Sequence, residues 1–312
     1  MTKFRINLRS TNAMFALSLL VAALLATSCA PPAGKLDLAA YAQEIEQYRI
    51  ARLAELKSDS GYLSLIGLFW LKEGENKFGS DPANEIVLPK EKVSRFAGVF
   101  VLKNGVVKLE APANSNITAS DKPVTSLELK SDADDKPTVL RLGSLSLQII
   151  KRGDKLGVRV KDKDNPVRTN FAGIESYPAD QKWRLEARFE PYNPPKKVPI
   201  VNILGMESGE ESPGAVAFEV DRQGYRLDAI REKGEPKLFM IFADNTSGKE
   251  TYPAGRYLYV DPPDAAGRMI IDFNKAYSPP CAFTKFATCP LPPRQNRLPF
   301  AIEAGEKYSR HL

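Results

Sequence analysis

Residues 183–189 read WRLEARF. Apolar Trp183, Leu185, Ala187 and Phe189 alternate with Arg184, Glu186, Arg188 and then Glu190. A period of two sends one row to each side of an extended chain. The segment therefore predicts an antiparallel strand with one buried and one solvated face. The charged row is read as that solvated face, with a ligand surface as the rival reading. The run Pro191-Tyr192-Asn193-Pro194-Pro195-Lys196 is expected to end the strand, because proline removes ladder donors.

Short runs of the same kind continue on both sides. Toward the C-terminus, strands are predicted at 197–204, 214–220, 224–230, 237–243, 255–260 and 267–273, with Asp221-Arg222-Gln223-Gly224 as a turn. Toward the N-terminus, residues 162–178 (DKDNPVRTNFAGIESYP) are a turn-rich link. Before the link, candidate strands fall at 85–88, 98–102, 106–110, 123–129, 138–142, 145–151 and 156–160. Lys103-Asn104-Gly105 is a hairpin turn, since Asn-Gly accepts positive φ. Residues 62–71 (YLSLIGLFWL) read as one buried strand or two short ones. Residues 36–57 predict an amphipathic helix: Leu38, Tyr41, Ile45, Tyr48, Leu53 and Leu56 form its stripe, and Ser58-Asp59-Ser60-Gly61 stops it. Strands this short and this regularly spaced imply a mainly β protein. The expected order is an N-terminal amphipathic helix, a β-sandwich, and a second antiparallel β-barrel or sandwich. The expected divisions are 37–60 for the helix, 61–165 for the first β-domain and 166–312 for the second.

Ahead of the helix, Lys3, Arg5 and Arg9 precede the apolar run 14–26 (MFALSLLVAALLA), which is too short to span a bilayer of ~30 Å. That is the pattern of a secretory signal over 1–28. Ala26-Thr27-Ser28-Cys29 resembles a bacterial lipobox, so Cys29 is expected to carry lipid and residues 29–36 to act as the tether. The alternative is an ordinary signal peptide with Cys29 incidental. The expected location is the bacterial cell envelope, anchored to a membrane through Cys29. The whole chain carries +6. Three of its 44 basic residues lie in the signal, so the remainder holds 41 against 38 acidic, or +3. A balance that weak gives no case for nucleic acid.

The chain has three cysteines and one histidine, His311. With Cys29 lipidated, Cys281 and Cys289 remain as a pair in an oxidising compartment, which favours a disulfide across residues 281–289. The rival, a metal site, lacks ligands: two thiolates without histidine do not make a zinc centre. The pair sits in a proline-rich loop, 270–306, read IIDFNKAYSPPCAFTKFATCPLPPRQNRLPFAIEAGE. Nucleophilic triads need a histidine near a nucleophile, and Ser247-Gly248-Lys249 lacks the glycine of a phosphate loop. No cofactor is implied. The favoured function is binding of a small ligand or protein partner at the second β-domain. Candidate ligand-binding residues are Arg256, Tyr257, Asp272, Asn274, Tyr277, Asn296, Glu303 and Lys249. A hydrolase using Asp272 and Glu303 with Arg256 is the alternative.

Two resemblances add to this reading. Phe78-Gly79-Ser80-Asp81-Pro82-Ala83-Asn84-Glu85-Ile86-Val87-Leu88-Pro89, then Val93-Ser94-Arg95, Ser115-Asn116-Ile117-Thr118 and Leu142-Gly143-Ser144-Leu145, resemble a forkhead-associated (FHA) domain. That family is a β-sandwich that binds phosphothreonine peptides. Here Ser80 stands where it has arginine, Phe96-Ala97 where it has histidine after the serine, and Asn116-Ile117-Thr118 where it has Asn-Gly-Thr. Losing that arginine removes the charge-assisted grip on phosphate and argues against phosphopeptide binding. The second resemblance spans about 48–307. It rests on Arg52-Leu53-Ala54-Glu55-Leu56-Lys57, residues 63–71, Glu73-Gly74-Glu75-Asn76, Phe189-Glu190-Pro191-Tyr192, Phe242-Ala243-Asp244, Ser247-Gly248-Lys249-Glu250-Thr251-Tyr252, Gly255-Arg256-Tyr257-Leu258 and Asp272-Phe273-Asn274. These resemble the bacterial family called domain of unknown function 1684, which implies no activity, substrate or cofactor.

Overall fold

The computed structural model describes residues 36–308. The predicted signal, Cys29 and His311 lie outside those residues. The described residues from Leu38 onward form one compact unit.

Helix α1 (Leu38–Leu56) opens the described chain. Its buried residues are Tyr41, Ile45, Arg52 and Leu56. The apolar stripe is therefore shifted from the sequence reading. Leu38 is 58% exposed, and Arg52 takes an interior position because a buried carboxylate meets it. A 3-10 turn (Tyr62–Ser64) then leads into the first β half.

That half comprises β1 (Leu65–Trp70), β2 (Gly74–Gly79), β3 (Ile86–Val87), β4 (Gly98–Lys103), β5 (Val106–Glu110), β6 (Thr118–Ala119), β7 (Lys122–Pro123), β8 (Ser126–Leu129), β9 (Val139–Leu142), β10 (Leu145–Arg152) and β11 (Lys155–Asp162). They form a 6-stranded sheet ordered β1-β11-β10-β9-β6-β7 and a 5-stranded sheet ordered β3-β2-β4-β5-β8. Phe78, Phe100, Leu109, Leu140, Val158 and Val160 bury between the sheets, with the Phe78 and Phe100 rings stacked at 4.5 Å. This is the sandwich expected. Asn104 (φ 52) and Gly105 (φ 78) make the β4–β5 turn. In β11 the alternation has a second consequence. Val158 and Val160 enter the core, so Arg159 and Lys161 stand on the other side of the sheet.

After a one-turn helix, α2 (Pro166–Thr169), the second half contains β12 (Arg184–Val201), β13 (Glu207–Val220), β14 (Gln223–Ala229), β15 (Leu238–Phe242), β16 (Arg256–Val260) and β17 (Arg268–Asp272). The sheet order is β14-β13-β12-β17, with β15-β16 as a separate pair. The bridge Ile230↔Phe239 links them into a curled half-barrel. Of WRLEARF, Trp183 ends a 3-10 turn (Gln181–Trp183) and the rest starts β12, where Arg184↔Asp272 and Ala187↔Phe218 set its two registers. The proline run does not end this strand, as the sequence predicted. It is absorbed as an irregularity between Pro191 and Lys196, and pairing with β13 resumes at Lys196↔Ser212. A bulge lets prolines sit in a ladder without displacing it.

Every residue of β15 is buried. Leu238, Met240 and Phe242 face the half-barrel core with Leu258, Val260 and Ile271. Phe239 and Ile241 face a second cluster with Tyr257, Val198 and Ile200. A strand covered on both faces reads as a continuous apolar run rather than an alternating one. The covering layer on the second face includes the proline-rich loop. Cys281 and Cys289 are joined there as a disulfide with Cα atoms 6.1 Å apart.

Candidate functional site

A cleft of about 890 Å³ lies where α1, the back of the first β half and the second face of β15–β16 meet. Its floor follows from strand alternation. In β16, Leu258 and Val260 enter the half-barrel core, so Tyr257 and Tyr259 point the other way. Phe239 and Tyr257 pack edge to face at 5.0 Å, and Tyr259 stacks on Tyr277 at 6.2 Å. Edge-to-face and offset pairs of this kind match ring quadrupoles and hold the floor rigid. Burial pushes the hydroxyls of Tyr257, Tyr259 and Tyr277 above their ordinary range, so they stay protonated. Tyr257 donates to the Pro290 carbonyl at 2.9 Å, and Tyr259 donates to Glu232. Burial raises the Glu232 carboxyl, the Tyr259 bond opposes that, and Glu235 and Glu210 add to the rise.

α1 supplies one wall. Arg52 Nε donates to Glu306 Oε1 at 3.1 Å, and its guanidinium lies 4.6 Å over the Tyr277 ring. Glu306 is buried and also accepts from the Ser278 amide at 2.7 Å. The β10–β11 hairpin supplies the opposite wall. Arg152 donates to Asp132 at 2.8 Å and to the Thr288 hydroxyl at 2.9 Å, tying the hairpin to the disulfide loop. Cys289 itself lines the cleft. Arg159 also lines it and has no hydrogen-bond or ion-pair partner among the described residues; its Nε is buried. Desolvation lowers the Arg159 guanidinium, and neighbouring Arg152 lowers it further.

The residues nominated from sequence do not converge on one cavity. Tyr257 and Tyr277 line the cleft. Arg256 shares β16 with Tyr257 but faces inward, fully buried. It donates to Asp244 Oδ2 at 2.6 Å, to the Ile302 carbonyl at 2.9 Å and to the Ala304 carbonyl. Asp272 accepts from the Tyr41 hydroxyl at 2.9 Å and from the Asn274 amide at 3.0 Å. Asn274 binds Tyr41 and both backbone polar groups of Asp180. The pair therefore seats α1. Asn296 bonds Asp228 N, Asp228 O and Ile241 O, filling the seam between β14 and β15. Lys249 and Glu303 are exposed. Arg256, Asp272 and Glu303 thus sit in three different settings, and the Asp272–Glu303–Arg256 arrangement proposed for hydrolysis is not assembled. Arg95, in the stretch that resembles an FHA domain, is 87% exposed and ion-paired to Asp81.

Arg52, Arg159 and Glu232 were missed. Arg52 was masked by its place among helix surface charges. Arg159 alternates with valines, a pattern that reads as a solvated strand face until a second layer covers it. Tyr259 was readable in GRYLYV as the same-face partner of Tyr257.

Fold and cleft together define a mainly β protein with an aromatic-floored cleft. Residues 169–307 match the model of the family described as "Protein of unknown function (DUF1684)". The landmarks at 52–76 lie outside that match. A solution NMR structure of an uncharacterized protein of Haloarcula marismortui is 30% identical, covering 45% of this chain and 78% of that chain, with a TM-score of 0.39. An FHA domain solved in work on phosphothreonine-dependent FHA domain interactions is 21% identical, covering 30% of this chain and 92% of that chain, with a TM-score of 0.22. The FhaA FHA domain, in complex with the intracellular domain of another protein, is 23% identical, covering 30% of this chain and 97% of that chain, also at 0.22. No curated protein matches the chain.

Proposed function

We propose that the protein is a ligand-binding component of the bacterial cell envelope, held at a membrane by lipid on Cys29, and that the cleft over Tyr257, Tyr259 and Tyr277 is its binding site. The observation that carries the reading is the cleft itself: about 890 Å³ floored by ring-packed aromatics, within the volume range of small-molecule sites. Rigid aromatics offer large contact area at little ordering cost. The support for the anchor is the signal-like segment ending in Ala26-Thr27-Ser28-Cys29.

A metabolite panel screened by thermal shift tests the site. The wild type is expected to be stabilised by one or more members, and Tyr259→Ser is expected to lose that shift while still unfolding cooperatively. A panel that leaves the wild type unmoved defeats the cleft reading. For the anchor, cells grown with labelled palmitate should label the wild type and not Cys29→Ser. Equal labelling of both, or of neither, rules the anchor out.

A further inference from the structure

Arg159 is the anomaly of the cleft. A guanidinium offers five donors and ordinarily finds a carboxylate, a carbonyl or water. The other cleft arginines obey this rule: Arg52 has Glu306, and Arg152 has Asp132 and Thr288. Arg159 has no hydrogen-bond or ion-pair partner among the described residues, and its Nε is buried. Leaving a half-buried donor group unpaired costs stability with nothing in the fold to offset it.

The surroundings sharpen the case. Arg159 stands on β11 between Gln148 of β10 and Leu68 of β1, so no acidic residue faces it across either ladder. Two residues along the same face, Lys161 donates only to the Ser60 carbonyl and has no ion pair. Desolvation, reinforced by Arg159, depresses its ammonium to about 8. Lys151 also lines the cleft and has no ion pair. This wall is therefore mainly cationic: Asp132, which pairs with Arg152, is the acidic group that acts on Arg159, and it makes no ion pair with it. The carboxylates that line the cleft are Glu55, paired to Arg52, and Glu210, Glu232 and Glu235; none forms an ion pair with Arg159.

We propose that Arg159 is an anion-recognition residue, and that the ligand of the cleft joins a carboxylate or phosphate group, held by Arg159, to a flat ring laid against Tyr259 and Tyr277. The inference rests on the cleft reading above and adds the chemical class. Arg-carboxylate and Arg-phosphate pairs are bidentate and charge-assisted, which suits a guanidinium held without competitors. The stacked tyrosines accept a planar body by the same offset packing they use with each other. This site is separate from the loops that carry the FHA resemblance. Ser80, Ser94, Arg95 and Asn116 do not line the cleft.

The test uses the full chain and three probes: phenyl phosphate, its neutral counterpart phenyl β-glucoside, and inorganic phosphate. Binding is measured by calorimetry in low and high salt for wild type, Arg159→Gln and Arg159→Lys. Phenyl phosphate is expected to bind the wild type at least about tenfold tighter than either other probe, and to weaken with salt. Arg159→Gln should lose about tenfold or more for phenyl phosphate and leave the glucoside unchanged, with Arg159→Lys in between. Ligand-free Arg159→Gln should melt at or above the wild-type temperature, because an unpaired donor has been relieved. That melt separates lost binding from lost folding. Equal phenyl phosphate affinity in wild type and a folded Arg159→Gln overturns the proposal. Glucoside binding without phenyl phosphate binding overturns the anion assignment while leaving the cleft reading intact. Inorganic phosphate binding as tightly as phenyl phosphate overturns the ring. No binding by any probe overturns both inferences.

Discussion

Arg256 is among the largest fully buried side chains of the protein. Its charge is tolerable because Asp244 lies 2.6 Å away and two carbonyls accept from it. Asp244 in turn accepts from Thr246, so both charges are caged. Removing one partner of such a pair strands the other in the interior. Arg256→Met is expected to cost about 3–5 kcal/mol, read as a fall in urea midpoint, with Asp244→Asn falling in the same direction. A loss below about 1 kcal/mol would refute the caging account. Lys161 yields a pH prediction. Its folded value, about 8, lies below the ordinary 10.5. Between these limits the unfolded chain holds the proton and the folded chain does not, so this group makes stability rise with pH there. Below about pH 8 its full cost is present. Lys161→Met should therefore melt higher than wild type at pH 7, with the gap closing toward pH 10.5. A gap that is constant across pH would contradict the desolvation. The importance of position 256 was legible, since Gly255-Arg256 stood out among short strands. Its role was not, because a lone arginine in a strand does not reveal which face it joins. The residue before it, Gly255 (φ 90), leaves no room for a side chain, since a Cβ there would come within 2.4 Å of the Phe242 carbonyl oxygen.

At the level of elements, the disulfide loop acts as a lid seam rather than a site in itself. Arg152 of the β10–β11 hairpin grips Thr288, and Cys289 and Ala287 pack against Phe239 and Ile241. Opening the short loop should cost about 2–3 kcal/mol, so Cys281→Ser with Cys289→Ser is expected to lower the denaturation midpoint accordingly. Ligand affinity should fall with it, because this segment walls the cleft; unchanged affinity in the double variant would show that the wall stands without the bond. The β elements themselves were readable. Alternation predicted WRLEARF, β10 and β11, and Asn104-Gly105 predicted its hairpin. The long β12 was not readable, since Pro191–Lys196 carries every mark of a strand end and only cross-strand pairing to β13 bridges it. The cleft was half readable for a related reason: Tyr257 and Tyr277 lie in the stretch that drew notice, whereas Arg52 and Arg159 come from elements distant in sequence.

For the molecule as a whole, the expected helix, sandwich and second β half are all present, and the described residues from Leu38 onward form one compact unit. The ties between its parts are long-range. Tyr41 meets Asp272, Arg52 meets Glu306, and Arg152 meets Thr288. Calorimetry is expected to give a single transition, and Ile45→Ala, at a fully buried position of α1, should lower it by about 2–5 kcal/mol without splitting it. Two resolved peaks would mean that the halves melt separately. The Arg52–Glu306 pair has a further consequence for biogenesis. Contacts that join residues 254 positions apart cannot form while the ribosome is still short of the later one. Until Glu306 has been made, α1 lacks its buried counter-charge, and Arg256 lacks the carbonyls of Ile302 and Ala304. The nascent polypeptide thus stays short of its native state for nearly the whole of its synthesis.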